Sequence, residues 1–171
     1  MLLCDRLEAT LAEWRHEADL AIRDQLTGVL NRHGVRRWMG GDDELPIPAI
    51  GVVMIDLDGF KQVNDTHGHA VGDAVLVAVA SALSASVRQG DLVVRWGGDE
   101  FVALCPGLQD QDELDALVGR FAHALSTVEV HGVTPRASFG TQVARSRPLV
   151  LDSADAAMYA AKRAKPDRIS R

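Results

Sequence analysis

Two short apolar runs joined through paired glycines constrain this chain more than any other feature. Leu92-Val93-Val94 leads into Arg95-Trp96-Gly97-Gly98-Asp99-Glu100, and Phe101-Val102-Ala103-Leu104 follows. Strand-length runs on either side of Gly-Gly predict a β-hairpin, with the glycines supplying the positive φ that a tight turn needs. A turn without Cβ atoms also lets a bulky ligand approach the backbone closely. Asp99 and Glu100 then stand where the hairpin tip meets water. Taken alone, the same residues also describe a plain surface hairpin with solvated acids. The surrounding chain has to decide between the two.

A second apolar run, Ile50-Gly51-Val52-Val53-Met54-Ile55, ends in Asp56-Leu57-Asp58. Continuous apolar character over strand length predicts a strand buried on both faces, central in its sheet. Asp56 and Asp58 share a face if the strand persists. We read Asp58 instead as the cap of a short helix starting at Gly59-Phe60-Lys61. A polar, glycine-containing turn follows, then a second helix from about 72 to 87, rich in Ala, Val and Leu and therefore largely buried. Arg88-Gln89-Gly90-Asp91 turns into the hairpin.

Residues 3 to 23 read as a helix with Leu7, Leu11, Trp14, Ala18 and Ala21 as a heptad-like seam. That seam either docks on the domain behind it or pairs with a second copy as a short coiled coil. The helix starts close to Met1, so an upstream sensory region is expected to be absent from this chain. Gly28 ends this helix or makes a turn, and Asn31 caps a segment over 31–39. Gly40 to Pro48 reads as a polar loop. After Pro106-Gly107, residues 110 to 126 form an amphipathic helix with Leu114, Leu117, Val118, Phe121 and Leu125 on one side. Val128–Val130 and Arg136–Val143 are strand candidates joined around His131-Gly132. A last helix spans about 152 to 164 and ends at Pro166. Hairpins mixed with helices predict an α+β fold: a central, mostly antiparallel sheet flanked by helices, with an N-terminal helix.

Composition removes several function classes. With 171 residues and 47% apolar content, the chain can bury a real core. A net charge of -6 argues against a binder of nucleic-acid polymers, which needs a basic face. A single nucleotide held through a metal remains compatible, because the metal brings positive charge. Cys4 and Cys105 suggest no disulfide framework, and Cys105 is read as a buried thiol. No apolar run reaches membrane-spanning length and no signal peptide is visible, so a cytoplasmic location is expected.

Several spaced motifs resemble those of the GGDEF family, the diguanylate cyclases. They are Gly-Gly-Asp-Glu-Phe at 97–101, Asp-x-Leu-Thr-Gly-x-x-Asn-Arg at 24–32, Asp-x-Asp-x-Phe-Lys-x-x-Asn-Asp at 56–65 and Gly-His-x-x-Gly-Asp at 68–73. The resemblance covers roughly residue 24 to the end. It implies a palm-like nucleotidyl cyclase fold over 24–171, with 1–23 as a linker or signalling helix. It also implies condensation of two GTP molecules into cyclic di-GMP and pyrophosphate.

The implied chemistry accounts for the residue types. Mg²⁺ (or Mn²⁺) neutralises a triphosphate and makes a 3′-hydroxyl nucleophilic, using few carboxylates plus substrate oxygens. The resemblance makes Asp56, Asp99 and the backbone carbonyl of Leu57 the metal ligands. It makes Asp99 also the base, Glu100 an organiser of the metal shell, and Lys61 the countercharge at the α-phosphate. Lys61 read by itself is a solvated helix lysine. Asn64 and Asp73 match the family's guanine readers: the Asn can donate to O6, the Asp accepts from N1–H and the exocyclic amine. By themselves they are ordinary helix caps. His69 contacts the nucleotide or stabilises a turn. Lys162 matches a lysine that reaches the terminal phosphates. There the chain departs from the pattern, because Pro166 stands where the family carries a second cation.

Arg88 and Asp91 fit the family's Arg-x-x-Asp inhibitory site for intercalated cyclic di-GMP; a turn ion pair is the plain reading. One site holds one GTP, so turnover implies a homodimer with two sites facing each other. The alternative is a non-catalytic module that binds GTP or cyclic di-GMP and signals through contacts.

Overall fold

The computed structural model describes residues 21–40, 46–146 and 150. The expected helices over 3–23 and 152–164, with Cys4, Lys162 and Pro166, lie outside the described residues, except for Ala21 and Ile22, which are helical, and Arg23, which is not helical but forms an isolated bridge with Leu30. In chain order the elements are β1 (Leu30–Asn31), α1 (Arg32–Trp38), β2 (Pro46–Leu57), α2 (Phe60–His67), α3 (His69–Ala85), β3 (Leu92–Arg95), β4 (Glu100–Pro106), α4 (Gln111–Ser126) and β5 (Ala137–Ser146).

The five strands form one sheet in the order β1-β3-β4-β2-β5. Among the described residues only β1 and β3 run parallel; β3–β4, β4–β2 and β2–β5 are antiparallel. The sheet is therefore mostly antiparallel and flanked by helices, as the sequence predicts. β2 is interior, and Val52, Val53, Met54 and Ile55 are all fully buried. Both faces of β2 are covered because side chains alternate across a strand. Val53, Ile55 and Leu57 join Val75, Val79 and Leu83 of α3 and Leu114, Leu117 and Phe121 of α4 in one core. Val52 and Met54 join Val35 of α1 and its C-cap Met39, with Val94, Trp96, Val102 and Leu104, in the other.

Asn31 caps α1 as expected, its side-chain oxygen accepting from the Gly34 amide at 2.8 Å. α4 matches its predicted span and face, with Asp110 as its cap. Cys105 is fully buried, and burial, reinforced by the neighbouring Asp91 carboxylate, pushes its thiol pKa up to about 12.

Other expectations need correction. β2 extends back to Pro46, through part of the expected loop, with a register irregularity between Pro46 and Ile50. A break in pairing is where proline, which has no N–H to donate, is tolerated in a sheet. α3 starts at His69 rather than near 72, with Gly68 as its N-cap, so His69 is the first helical residue and not part of a turn. Val128–Val130 is not a strand; one isolated bridge links Val130 to Val133 around the His131-Gly132 turn. Asp58 does not cap α2: the N-cap is Gly59, at φ 70, with no side-chain cap bond. β2 ends at Leu57, and the Asp58 carboxylate accepts from the Ser138 hydroxyl at 2.9 Å instead.

Candidate active site at the end of the central strands

The hairpin forms where the sequence places it, but for a different reason. β3 ends at Arg95, which pairs with Phe101, and β4 begins at Glu100, so Trp96 to Asp99 make the connection. Neither Gly97 nor Gly98 adopts a positive φ. A longer connection does not need the left-handed residues that a two-residue turn demands. Gly97 instead leaves room for a neighbouring side chain, while Gly98 stands in open space. A Cβ at Gly97 would come 2.9 Å from the Glu100 carboxylate, and one at Gly98 would meet nothing within 4 Å. The acids are not at a freely solvated tip either: Asp99 and Glu100 are half-buried.

This connection lies against the end of β2. Asp56 and Glu100 are direct register partners across β2 and β4. The Leu57 amide donates to the Asp99 carbonyl at 3.2 Å. Asp56 is buried, 5% exposed. Asp56, Leu57, Asp99 and Glu100 are thus brought together. Like charges at facing register positions are unfavourable, and a cation between them relieves that cost. Hard carboxylate and carbonyl oxygens suit Mg²⁺. Among the described residues no three His, Cys, Asp or Glu side chains form a ready-made metal cage.

α2 and α3 leave the same strand end. Lys61 is exposed in the first turn of α2 and pairs with Asp65 at 2.7 Å. That hydrogen bond and the carboxylate's charge raise the Lys61 pKa, so the ammonium is charged at neutral pH. Asn64 is half-buried on α2, while His69 and Asp73 are exposed on α3. Neither Asn64 nor Asp73 acts as a helix cap. The Asn64 side chain lies against Gly72, the residue before Asp73.

Arg88 and Asp91 sit at the opposite end of β3 from the glycine turn, about 14 Å away along four residues of strand. Arg88 Nε lies 3.2 Å from Asp91 Oδ1, and Arg88 Nη2 donates to the Pro106 carbonyl at 2.8 Å. The Asp91 side chain is 4% exposed and that of Arg88 60%. The turn ion pair is present, with one arginine edge facing outward.

Sequence reasoning missed what braces the glycine turn. Arg95 donates through Nη2 and Nε to the Gly98 carbonyl, at 2.8 and 3.1 Å. Its Nη1 reaches Asp24 Oδ1 at 3.0 Å. Burial pushes the Asp24 carboxyl up, but bonds from the Thr27 hydroxyl and amide and from Arg95 outweigh it and hold the pKa below its ordinary value. The Arg32 guanidinium lies 4.6 Å from the Trp96 ring centroid, a cation–π contact. The Asn31 amide donates to the Ala21 and Arg23 carbonyls, both at 3.0 Å. The motif at 24–32 is therefore a strut between the incoming chain and the glycine turn. Asp24 and Arg95 are 71 positions apart, so spacing gave no signal of the contact.

Comparison with known proteins places this geometry. The family model described as "Diguanylate cyclase, GGDEF domain" matches residues 21–168. The chain is 42% identical over 108 residues to the response regulator PleD of Caulobacter vibrioides, covering 58% of this chain and 22% of PleD. It therefore spans less than a quarter of that relative's length. The diguanylate cyclase SiaD of Pseudomonas aeruginosa, crystallised with its activator SiaC, superposes with a TM-score of 0.74 at 32% identity, covering 96% of this chain and 67% of that one. The coiled coil and GGDEF domain of DgcB from Caulobacter crescentus, in complex with c-di-GMP, also gives 0.74, at 26% identity, covering 99% and 93%.

Proposed function

The chain belongs to the GGDEF domain family of diguanylate cyclases, and on that footing we propose that it condenses two GTP molecules into cyclic di-GMP and two pyrophosphates. The observation that carries the proposal is the meeting of Asp56 and Glu100 as register partners, with Asp99 tied to Leu57 beside them. In this reading residues 24–171 are the catalytic domain, residues 1–23 a signalling helix, and the location cytoplasmic. No described helix is long and apolar enough to cross a membrane.

Asp56 and Asp99, with the Leu57 carbonyl, would hold Mg²⁺ or Mn²⁺, and Glu100 would orient that shell. When bound, the ion would supply positive charge at the triphosphate and acidify the 3′-hydroxyl. Asp99 accepts the proton of that hydroxyl. Lys61 exchanges Asp65 for the α-phosphate, where negative charge grows in the transition state. Asn64 and Asp73 read the guanine edge, and His69 and Lys162 contact the nucleotide and its terminal phosphates. Each product carries two nucleotides and two new phosphodiester links. Two domains must therefore face each other, each presenting its GTP to the other, and holding both reactants in place is a large part of the rate. Arg88 and Asp91 take up product at the far end of β3 and limit further synthesis. Arg suits that role because its planar fork can bond phosphate or guanine and stack on a base.

The test is product formation from GTP and Mg²⁺ at high protein concentration, resolved by chromatography, with Asp99→Ala alongside. Cyclic di-GMP is expected from the unsubstituted chain and not from the variant. GTP binding without product, even after fusion to a coiled coil that enforces dimers, would instead make this a non-catalytic nucleotide-binding module.

A further inference from the structure

The corner between α2 and α3 seats the Asn64 side chain over a residue that has none. A Cβ built on Gly72 would overlap the Asn64 side-chain oxygen and stand 3.0 Å from its amide carbon and 3.3 Å from Phe60 Cζ. Gly72 is buried in the first turn of α3, directly before Asp73. Its φ is not positive, so the backbone has no need of glycine. Glycine is also among the poorest helix formers, and alanine would favour α3. What glycine alone provides at this position is the space that the Asn64 amide fills.

We propose that Gly72 is a specificity-positioning residue, whose missing side chain seats the Asn64 amide beside Asp73 so that guanine is selected over adenine. This rests on the reading of Asn64 and Asp73 as the base contacts. A methyl group at 72 need not break the corner, because the atom in its way is the far end of a flexible side chain. The amide swings aside, and the base loses a hydrogen bond that only guanine makes. One such bond corresponds to a change of about tenfold in affinity. The fold should not suffer, since the helix gains a better helix former.

The experiment is equilibrium titration of GTP and of ATP, each with Mg²⁺, on the full chain, Gly72→Ala, Asn64→Ala and the double variant, with a thermal melt of each. We expect the preference for GTP over ATP to fall about tenfold in either single variant. The double variant should be no less selective than Asn64→Ala, because Gly72 acts through Asn64. The Tm of Gly72→Ala should be unchanged or higher. An intact preference in Gly72→Ala beside a lost one in Asn64→Ala would overturn the proposal and leave the base contacts standing. So would equal weakening of both nucleotides, additive loss in the double variant, or a Gly72→Ala chain that melts early or does not fold; each of these assigns Gly72 to packing. An intact preference in Asn64→Ala, or no GTP binding by the unsubstituted chain, would refute the reading of the site itself and this inference with it.

Discussion

Arg95 shows how much a single side chain can carry. It ion-pairs with Asp24 and donates twice to the Gly98 carbonyl, so one guanidinium ties the start of the domain to the glycine turn. Asp24 binds its proton more weakly folded than unfolded. Protonation therefore favours the unfolded chain: the stabilisation is complete above the unfolded value near 3.8 and disappears as pH falls through the lower folded value. In urea titrations at neutral pH, Asp24→Asn should cost about 2 kcal/mol, the scale of a charge-assisted hydrogen bond. The difference from the parent should shrink as acid approaches the folded pKa. A difference that stays constant down to pH 2 would mean that the carboxylate's charge contributes nothing.

At the scale of elements, strand β1 and helix α1 are short, two and seven residues, and depend on their junctions. The Asn31 side chain does two tasks there: its oxygen caps α1 at the Gly34 amide, and its amide binds the Ala21 and Arg23 carbonyls. Asn31→Ala removes all three bonds. A lost cap costs about 1 kcal/mol, and part of the remaining two bonds adds to it because they lie at the exposed edge. The expected loss is about 1–2 kcal/mol by chemical denaturation. Amide exchange should rise first over residues 21–24 and the start of α1. Uniform exchange across the sheet would show that the strut is not a separate unit. The capping role of Asn31 was legible from its place before a helical segment. Its grip on the preceding chain was not, because that depends on how residues 21–31 fold back on themselves.

For the molecule as a whole, the proposed reaction makes rate a property of pairs. Product formed per chain should rise with protein concentration and level off once pairing is complete. A coiled-coil fusion at the N-terminus should flatten that dependence by raising activity at low concentration. Constant product per chain over a hundredfold dilution of the unfused protein would contradict a site shared between two domains, unless a tight dimer is visible by sedimentation over the same range.

What the sequence determined by itself is what short-range chemistry encodes. Continuous apolar runs placed β2 and β4 in the interior, and the 3.6-residue period placed the buried face of α4. The run of acids at a strand end and a turn marked Asp56, Asp99 and Glu100, and the order of spaced motifs marked the family. What only the tertiary structure decided is what depends on atoms far apart in the chain. Periodicity cannot fix where a connection closes, so the glycine turn proved longer than a tight turn, with neither glycine at positive φ and Gly97 leaving room for the Glu100 carboxylate. Local capping rules gave Asp58 a role that the approach of Ser138 took away. The Asp24–Arg95 pair and the seat of Asn64 on Gly72 come from packing of separate elements, where a contact is selected by shape and leaves no period to read.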